Sequence, residues 1–326
     1  MTGSGEAAAG GGAIRRLVDF REFMIVAIIL AGGAAMSIAS PHFLTWENLS
    51  ALLLAVSTQA IVAIGMTVLL VSGGFDLSVG STVGLTGAVT ALGLVHGLPT
   101  AAAMGAGLAL GGLIGLANGL VVAKIRINPF VTTLAMMGIV RGVLEVITQG
   151  RNVYGLPGAF KAIGQGHLAG FQNPIVISVV LVVAGDLALR KSRFFRQNYY
   201  IGGSERAAVL SGIRVNRMKI FNYVLTGVLA AAAGILMTAR FGSASVTMGS
   251  GLELQVISGV ILGGASLRGG EGTVLGSFLG CILMALIVTS LNLLGVDVYW
   301  QRLIIGATLL VAVVIDTLGK RGQGPA

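Results

Sequence analysis

Runs of about twenty mostly apolar residues recur from one end of this chain to the other, and that repetition leaves few folds open. A helix needs about 20 such residues to cross roughly 30 Å of hydrocarbon. Ten candidate spans can be read, near 23–40, 49–72, 79–96, 100–123, 129–148, 174–190, 219–238, 253–267, 272–294 and 300–318. The expected fold is therefore all-α, a polytopic membrane protein of about ten transmembrane helices. The third and eighth runs are short and Gly-rich, so either a full crossing or a broken, re-entrant segment is open for each. Composition agrees, because only 10% of the residues are charged, against about 25% in soluble chains. The 51 glycines suit helices that approach closely in a membrane.

Basic residues set an orientation. With the N-terminus in the cytoplasm and the spans alternating, Arg15, Arg16, Arg21, Lys124, Arg126, the cluster within 190–219, Arg268, Lys320 and Arg321 all fall on the cytoplasmic side. Arg141, Arg151, Lys161, Arg240 and Arg302 lie in spans or outside. This bias follows the positive-inside rule and places both termini in the cytoplasm. The net charge of +9 is thus a topology signal rather than a sign of nucleic acid. Residues 1–14 read as a disordered tail, 15–320 as a single transmembrane domain and 321–326 as a C-terminal tail. The first apolar run is an uncleaved span rather than a signal peptide, because it is long enough to cross and more spans follow. The lone Cys281 and the scattered His42, His96 and His167 show no disulfide or metal-ligand spacing.

The longest inner loop, 191–219, carries a short helix. Ser204 can cap it, Glu205 lies in its first turn and Gly212 stops it. Ala207, Ala208 and Leu210 would form its apolar face, suited to docking in a partner's groove or to lying flat on lipid headgroups. Two Gly-rich stretches, Ser72-Gly73-Gly74-Phe75-Asp76-Leu77-Ser78-Val79-Gly80 and Leu262-Gly263-Gly264-Ala265-Ser266-Leu267-Arg268-Gly269-Gly270, suggest an internal repeat of the kind transporters use.

Four ordered stretches carry a family resemblance. They are 72–81, the run Asn128-Pro129-Phe130-Val131-Thr132-Thr133-Leu134, the run Gly202-Gly203-Ser204-Glu205-Arg206-Ala207-Ala208-Val209-Leu210-Ser211-Gly212-Ile213, and the late glycine-rich 259–276. Together they resemble the permeases of ribose-type ABC importers, over roughly residues 45–318. The resemblance implies a bacterial inner-membrane subunit that pairs with a second copy or paralogue. Cytoplasmic ATPase subunits, which bind the ATP and magnesium, would dock on Gly203, Ser204, Glu205, Arg206, Ala207, Ala208, Leu210, Ser211 and Gly212. A periplasmic binding protein would deliver a pentose or hexose, with nucleosides and other small solutes as alternatives. No cofactor is expected on this chain, and no catalytic residue, since Gly319-Lys320 lacks a phosphate-binding loop.

Asn128, Phe130, Thr132 and Thr133, with Asp76, are the candidate solute contacts, because a neutral polyol needs hydrogen bonds without strong net charge. Thr hydroxyls can equally bond to their own helix, and Asp76 can equally cap the third span. Arg141 and Glu145 share one face of the fifth span, where they can pair with each other or face the solute path. Asp186 and Asp316 fall near inner span ends, Glu253 and Asp297 near outer ones. An ion-coupled secondary transporter is the competing class, marked by dependence on an ion gradient. If the short helix docks on an ATPase partner, Ala208→Arg would uncouple transport and leave the protein folded.

Overall fold

The computed structural model describes the backbone of residues 6–321 and the side chains of 22–314 apart from 298 and 302. Residues 1–5 and 322–326, and the side chains of Arg15, Arg16, Arg21, Arg302, Asp316, Lys320 and Arg321, lie outside it. The described chain is helical almost throughout. Its helices are α1 (Glu6–Ala39), α2 (Trp46–Val71), α3 (Val79–Val95), α4 (Thr100–Leu120), α5 (Pro129–Thr148), α6 (Gly158–Gln165), α7 (Asn173–Lys191), α8 (Arg193–Gly203), α9 (Glu205–Leu210), α10 (Val215–Phe241), α11 (Leu252–Leu262), α12 (Val274–Leu293) and α13 (Val298–Arg321). A π-helical turn, Val121–Ile125, extends α4. The strand content among the described residues is one antiparallel hairpin, His167–Leu168 with Phe171–Gln172, and an isolated bridge between Val153 and Ala244. As described, α1 begins at Glu6 and takes in part of the stretch expected to be a tail.

Local chemistry explains where the helices start and stop. Thr45 caps α2, accepting from the Asn48 amide at 3.4 Å, with Glu47 in the first turn. Asn128 caps α5 by accepting from the Phe130 amide at 2.8 Å, and Pro129 fills the first helical position, where no amide hydrogen is needed. Thr273 caps α12 through the Gly276 amide at 3.0 Å.

Among the described residues, seven helices are long and apolar enough to cross a membrane, and α3, α11 and Tyr299–Val314 of α13 are shorter apolar helices. The eleven residues of α11 rise only about 16 Å at 1.5 Å each, well short of the hydrocarbon thickness. Its sequence had left a full or partial crossing open, and its length answers for a partial one.

The centre is α2, 89% of whose apolar window is buried in the chain, against 11% for α1 and 22% for α5. A helix apolar all round belongs inside a bundle. Beside it, α10 packs against α4, α3 and α2. Gly111, Gly115 and Gly119 of α4 make that approach possible: a Cβ at Gly115 would overlap the Tyr223 carbonyl, and one at Gly111 the Gly227 carbonyl. Small residues replace the missing hydrophobic drive with close van der Waals contact. Gly115→Leu is expected to prevent recovery of monodisperse protein in mild detergent, because backbone cannot yield as a side chain can; wild-type yield and melting temperature would contradict this packing. Several buried hydroxyls turn back on their own helices, as Thr86 does to Thr82 O at 2.7 Å and Thr226 to Asn222 O at 2.8 Å, so these add no unpaired group in the apolar region.

Candidate solute path and coupling surface

One end of the bundle gathers the C-terminus of α2, the helices α8 and α9, the start of α10 and the glycine-rich loop after α11. Tyr199 of α8 donates to the Gly272 carbonyl at 2.7 Å, and the Gly270 amide donates to the Val71 carbonyl at 2.9 Å. Burial pushes the Tyr199 phenol up to about 12, Arg190 and Arg196 opposing and Asp186 adding to it, so the hydroxyl stays protonated and available as a donor. Nearby, Arg190 bridges Glu22 (2.8 Å) and Asp186 (2.7 Å), while Thr273 donates to Glu22 at 2.7 Å. These bonds tie the middle of α1 and the end of α7 to the cap of α12. They are the local interactions expected for Asp186.

The short helix lies at this end. Ser204 accepts from the Ala207 amide at 3.3 Å, and the Lys219 ammonium meets Glu205 at 2.6 Å. Gly212 takes φ +81°, and the Ile213 amide donates to the Ala208 carbonyl at 3.0 Å, a left-handed stop that glycine adopts without a Cβ clash. The apolar residues do not form one face. Ala208 is only 2% exposed and packs inward on Ile201, Val215 and Met218. Leu210 and Val209 point out, Leu210 at 89% exposure. Gly203, Arg206, Ala207, Ser211 and Gly212 are also exposed. A groove of about 470 Å³ beside α9 is lined by Gln197, Tyr200, Ser211, Gly212 and Ile213.

Between α2 and α3 the chain is non-helical over 72–78, with turns at both ends. Here Asp76 is buried, accepting from the Ser78 amide at 2.7 Å, the Ser78 hydroxyl at 2.6 Å and Asn118 of α4 at 3.1 Å. Its carboxylate holds the turn into α3. Phe75 meets Phe130 of α5 edge-on, with centroids 6.4 Å apart. Asn128 is occupied as a cap, and Thr133 donates to the Pro129 carbonyl at 2.8 Å. Thr132 is buried, and its hydroxyl has no partner. Of the predicted solute contacts, then, Phe130 and Thr132 keep groups free of the internal network, and Asn128, Thr133 and Asp76 are engaged.

At the opposite end, a second non-helical segment, 242–251, turns back from α10 into the bundle. The Arg141 guanidinium does not close on Glu145, one turn away. Its Nη1 donates to the carbonyls of Val246 at 2.9 Å and Met248 at 3.1 Å, and no ion pair within 4 Å joins it to Glu145 among the described residues. A charge in an apolar setting goes to fixed, otherwise unpaired acceptors, and a non-helical segment supplies them. Asn152 adds a further tie, accepting from the Val246 amide at 3.1 Å. Gly249 packs on Gly80 at the start of α3, and a Cβ at Gly80 would overlap the Gly249 carbonyl and the Glu253 carboxylate. The second non-helical segment thus meets the start of α3, just after the first, inside the bundle. Sequence reading singled out the first and missed the second, whose signal was the run Gly249-Ser250-Gly251 ahead of Glu253.

Broken helices meeting inside a bundle, a basic end and a projecting short helix describe a transport subunit. The profile of the family described as "Branched-chain amino acid transport system / permease component" matches residues 48–313. The chain belongs to this permease family. It is similar to the ribose import permease protein RbsC of Escherichia coli, 42% identical over 87% of this chain and 89% of that one. RbsC of Bacillus subtilis is 38% identical, covering 94% of each chain. The L-arabinose transport system permease protein AraH of Escherichia coli is 38% identical over 89% of this chain and 88% of that one. No solved structure matches the chain. With these relatives and seven long apolar helices, it is a multi-pass inner-membrane permease.

Proposed function

We propose that this permease forms the translocation path of an ABC importer for a small sugar, a pentose or hexose. A binding protein delivers the sugar on the far side of the membrane, and ATP hydrolysis in partner subunits drives transport. The observation that carries the reading is the α9 corner. A capped, six-residue helix presents Val209 and Leu210 to solvent amid Arg206, Arg214 and Arg217, the composition of a surface that docks in a partner's groove. The basic residues of this corner make it the cytoplasmic end. Ten crossings, the short α11 completing its own with the non-helical segment 242–251 before it, would put both termini in the cytoplasm. Names of the relatives support a sugar, ribose or arabinose being the solute printed for each. A second copy of the chain would complete the path, with Phe130 and Thr132 beside it. ATP-driven closure of the partners, passed through α9, would switch the path between the two sides.

Co-expression with the neighbouring genes and purification in detergent tests this. A stable complex with an ATPase subunit, whose activity rises with a sugar-loaded binding protein, is the expected result. A chain that purifies alone under those conditions overturns the reading.

A further inference from the structure

Where α8, α10 and the end of α2 meet, three polar side chains come together in a buried site. Asn222 of α10 and Asn198 of α8 are completely buried, and Ser72, at the end of α2, is nearly so. The Asn222 amide spends both hydrogens here, donating to the Ser72 hydroxyl at 3.2 Å and to the Asn198 Oδ1 at 2.8 Å. Ser72 in turn donates to the Leu69 carbonyl at 2.8 Å. Two atoms are left over, Asn222 Oδ1 and Asn198 Nδ2, both buried and without partners. One is an acceptor and the other a donor, and they belong to side chains already in contact.

We propose that this trio is a two-position switch that couples α8 to the loop 72–78. In the observed position Asn222 holds Ser72 and Asn198. In the other, Asn222 turns from Ser72 and the two asparagines pair reciprocally, Nδ2 of each donating to Oδ1 of the other. Each position contains two hydrogen bonds, so neither is strongly preferred and a small displacement selects between them. A buried amide cannot fall back on water, which keeps the positions discrete. The displacement comes from α8. It is joined to α9 through Ser204, and its Gly202 sits against the Val71 carbonyl and the Gly270 amide. Release of Ser72 removes one tie on the segment that carries Phe75 and Asp76, which the Tyr223 hydroxyl on the Phe75 carbonyl (3.1 Å) and Asn118 on Asp76 still hold, and so loosens the Phe75–Phe130 contact. Asn198 and Asn222 are therefore positioning residues, acting through Ser72 on the path. Use of the switch by a partner rests on the coupling function proposed for α9; the switch itself does not.

Hydrogen exchange over 73–78 tests it, first on the purified full-length chain. Ser72→Ala removes the held position and should speed exchange about tenfold. Asn198→Asp keeps the accepting oxygen and loses the donor, and Asn198→Ala loses both; either bars the reciprocal pair and should leave exchange as slow as in wild type or slower. If all three variants speed exchange alike, the trio is only structural glue and the switch is wrong. The second measurement uses the complex with ATPase subunits and a non-hydrolysable ATP analogue. Wild type should quicken over 73–78 on adding the analogue, Asn198→Asp should not, and Ser72→Ala should be fast throughout. A wild-type complex that forms but shows no change removes the switch from coupling. A chain that binds no ATPase refutes the coupling function instead, and the single-chain comparison still judges the switch.

Discussion

Ala208→Arg should yield little folded protein, whereas Leu210→Asp should fold, bind its membrane and fail to transport. The side chain of Ala208 is enclosed by Ile201, Val215 and Met218, so an arginine there both overfills the site and buries an unpaired charge, at a cost of about 3 kcal/mol or more. The corner formed by α8 and α9 would open. Leu210 touches little of its own chain, so its replacement should change stability by no more than about 0.5 kcal/mol. If it is the anchor of a docked partner, losing it should lower sugar uptake about a hundredfold, as truncating an interface anchor does. Yield and melting temperature read the first effect, and uptake at matched protein level reads the second. A well-folded, inactive Ala208→Arg together with an active Leu210→Asp would show that the inward and outward faces of α9 have been reversed. Sequence reading expected the first of those outcomes, because Ala207, Ala208 and Leu210 all lie within one turn or so and look like one face. What settles the matter is the neighbouring chain: Ile201 and Met218, from helices on either side, cover only one of the three.

Arg141→Met should abolish transport. Two carbonyls, of Val246 and Met248, lose their donor in an apolar setting, at about 1–3 kcal/mol each. The segment 242–251 would leave Gly80 and the start of α3. Arg141→Lys keeps the charge but cannot offer the same planar set of donors, and partial uptake is expected from it. Glu145→Gln should matter much less, since Glu145 is exposed and outside this contact. Uptake falling equally in Arg141→Met and Glu145→Gln would mean that the two side chains act as a pair after all.

These cases show what the sequence could and could not reveal. The apolar runs located the long helices within a few residues, because length and hydropathy are local properties. The capping of α9 by Ser204 was legible for the same reason: a cap is written within four residues. Asn128, read as a solute contact, is instead the cap of α5. The weak third and eighth runs correctly marked the short helices α3 and α11. By contrast, the partners of Arg141 lie more than a hundred residues away, and nothing within its own helix points to them. Asn198 and Asn222 were equally silent, since each is an ordinary polar residue in a basic loop or an apolar run until folding buries both. Asp76 was ambiguous between cap and solute contact, and Asn118, forty-two residues on, favours the structural role.

The central claim is that this permease moves a sugar at the expense of ATP bound elsewhere, through α9. Its most direct test is uptake of radiolabelled ribose and arabinose into proteoliposomes that contain the purified chain, its ATPase subunits and its binding protein. Uptake that requires ATP inside the reaction, requires the binding protein, and disappears with Leu210→Asp is the predicted result. Uptake by the chain alone, driven by a proton or sodium gradient and indifferent to ATP, would contradict it.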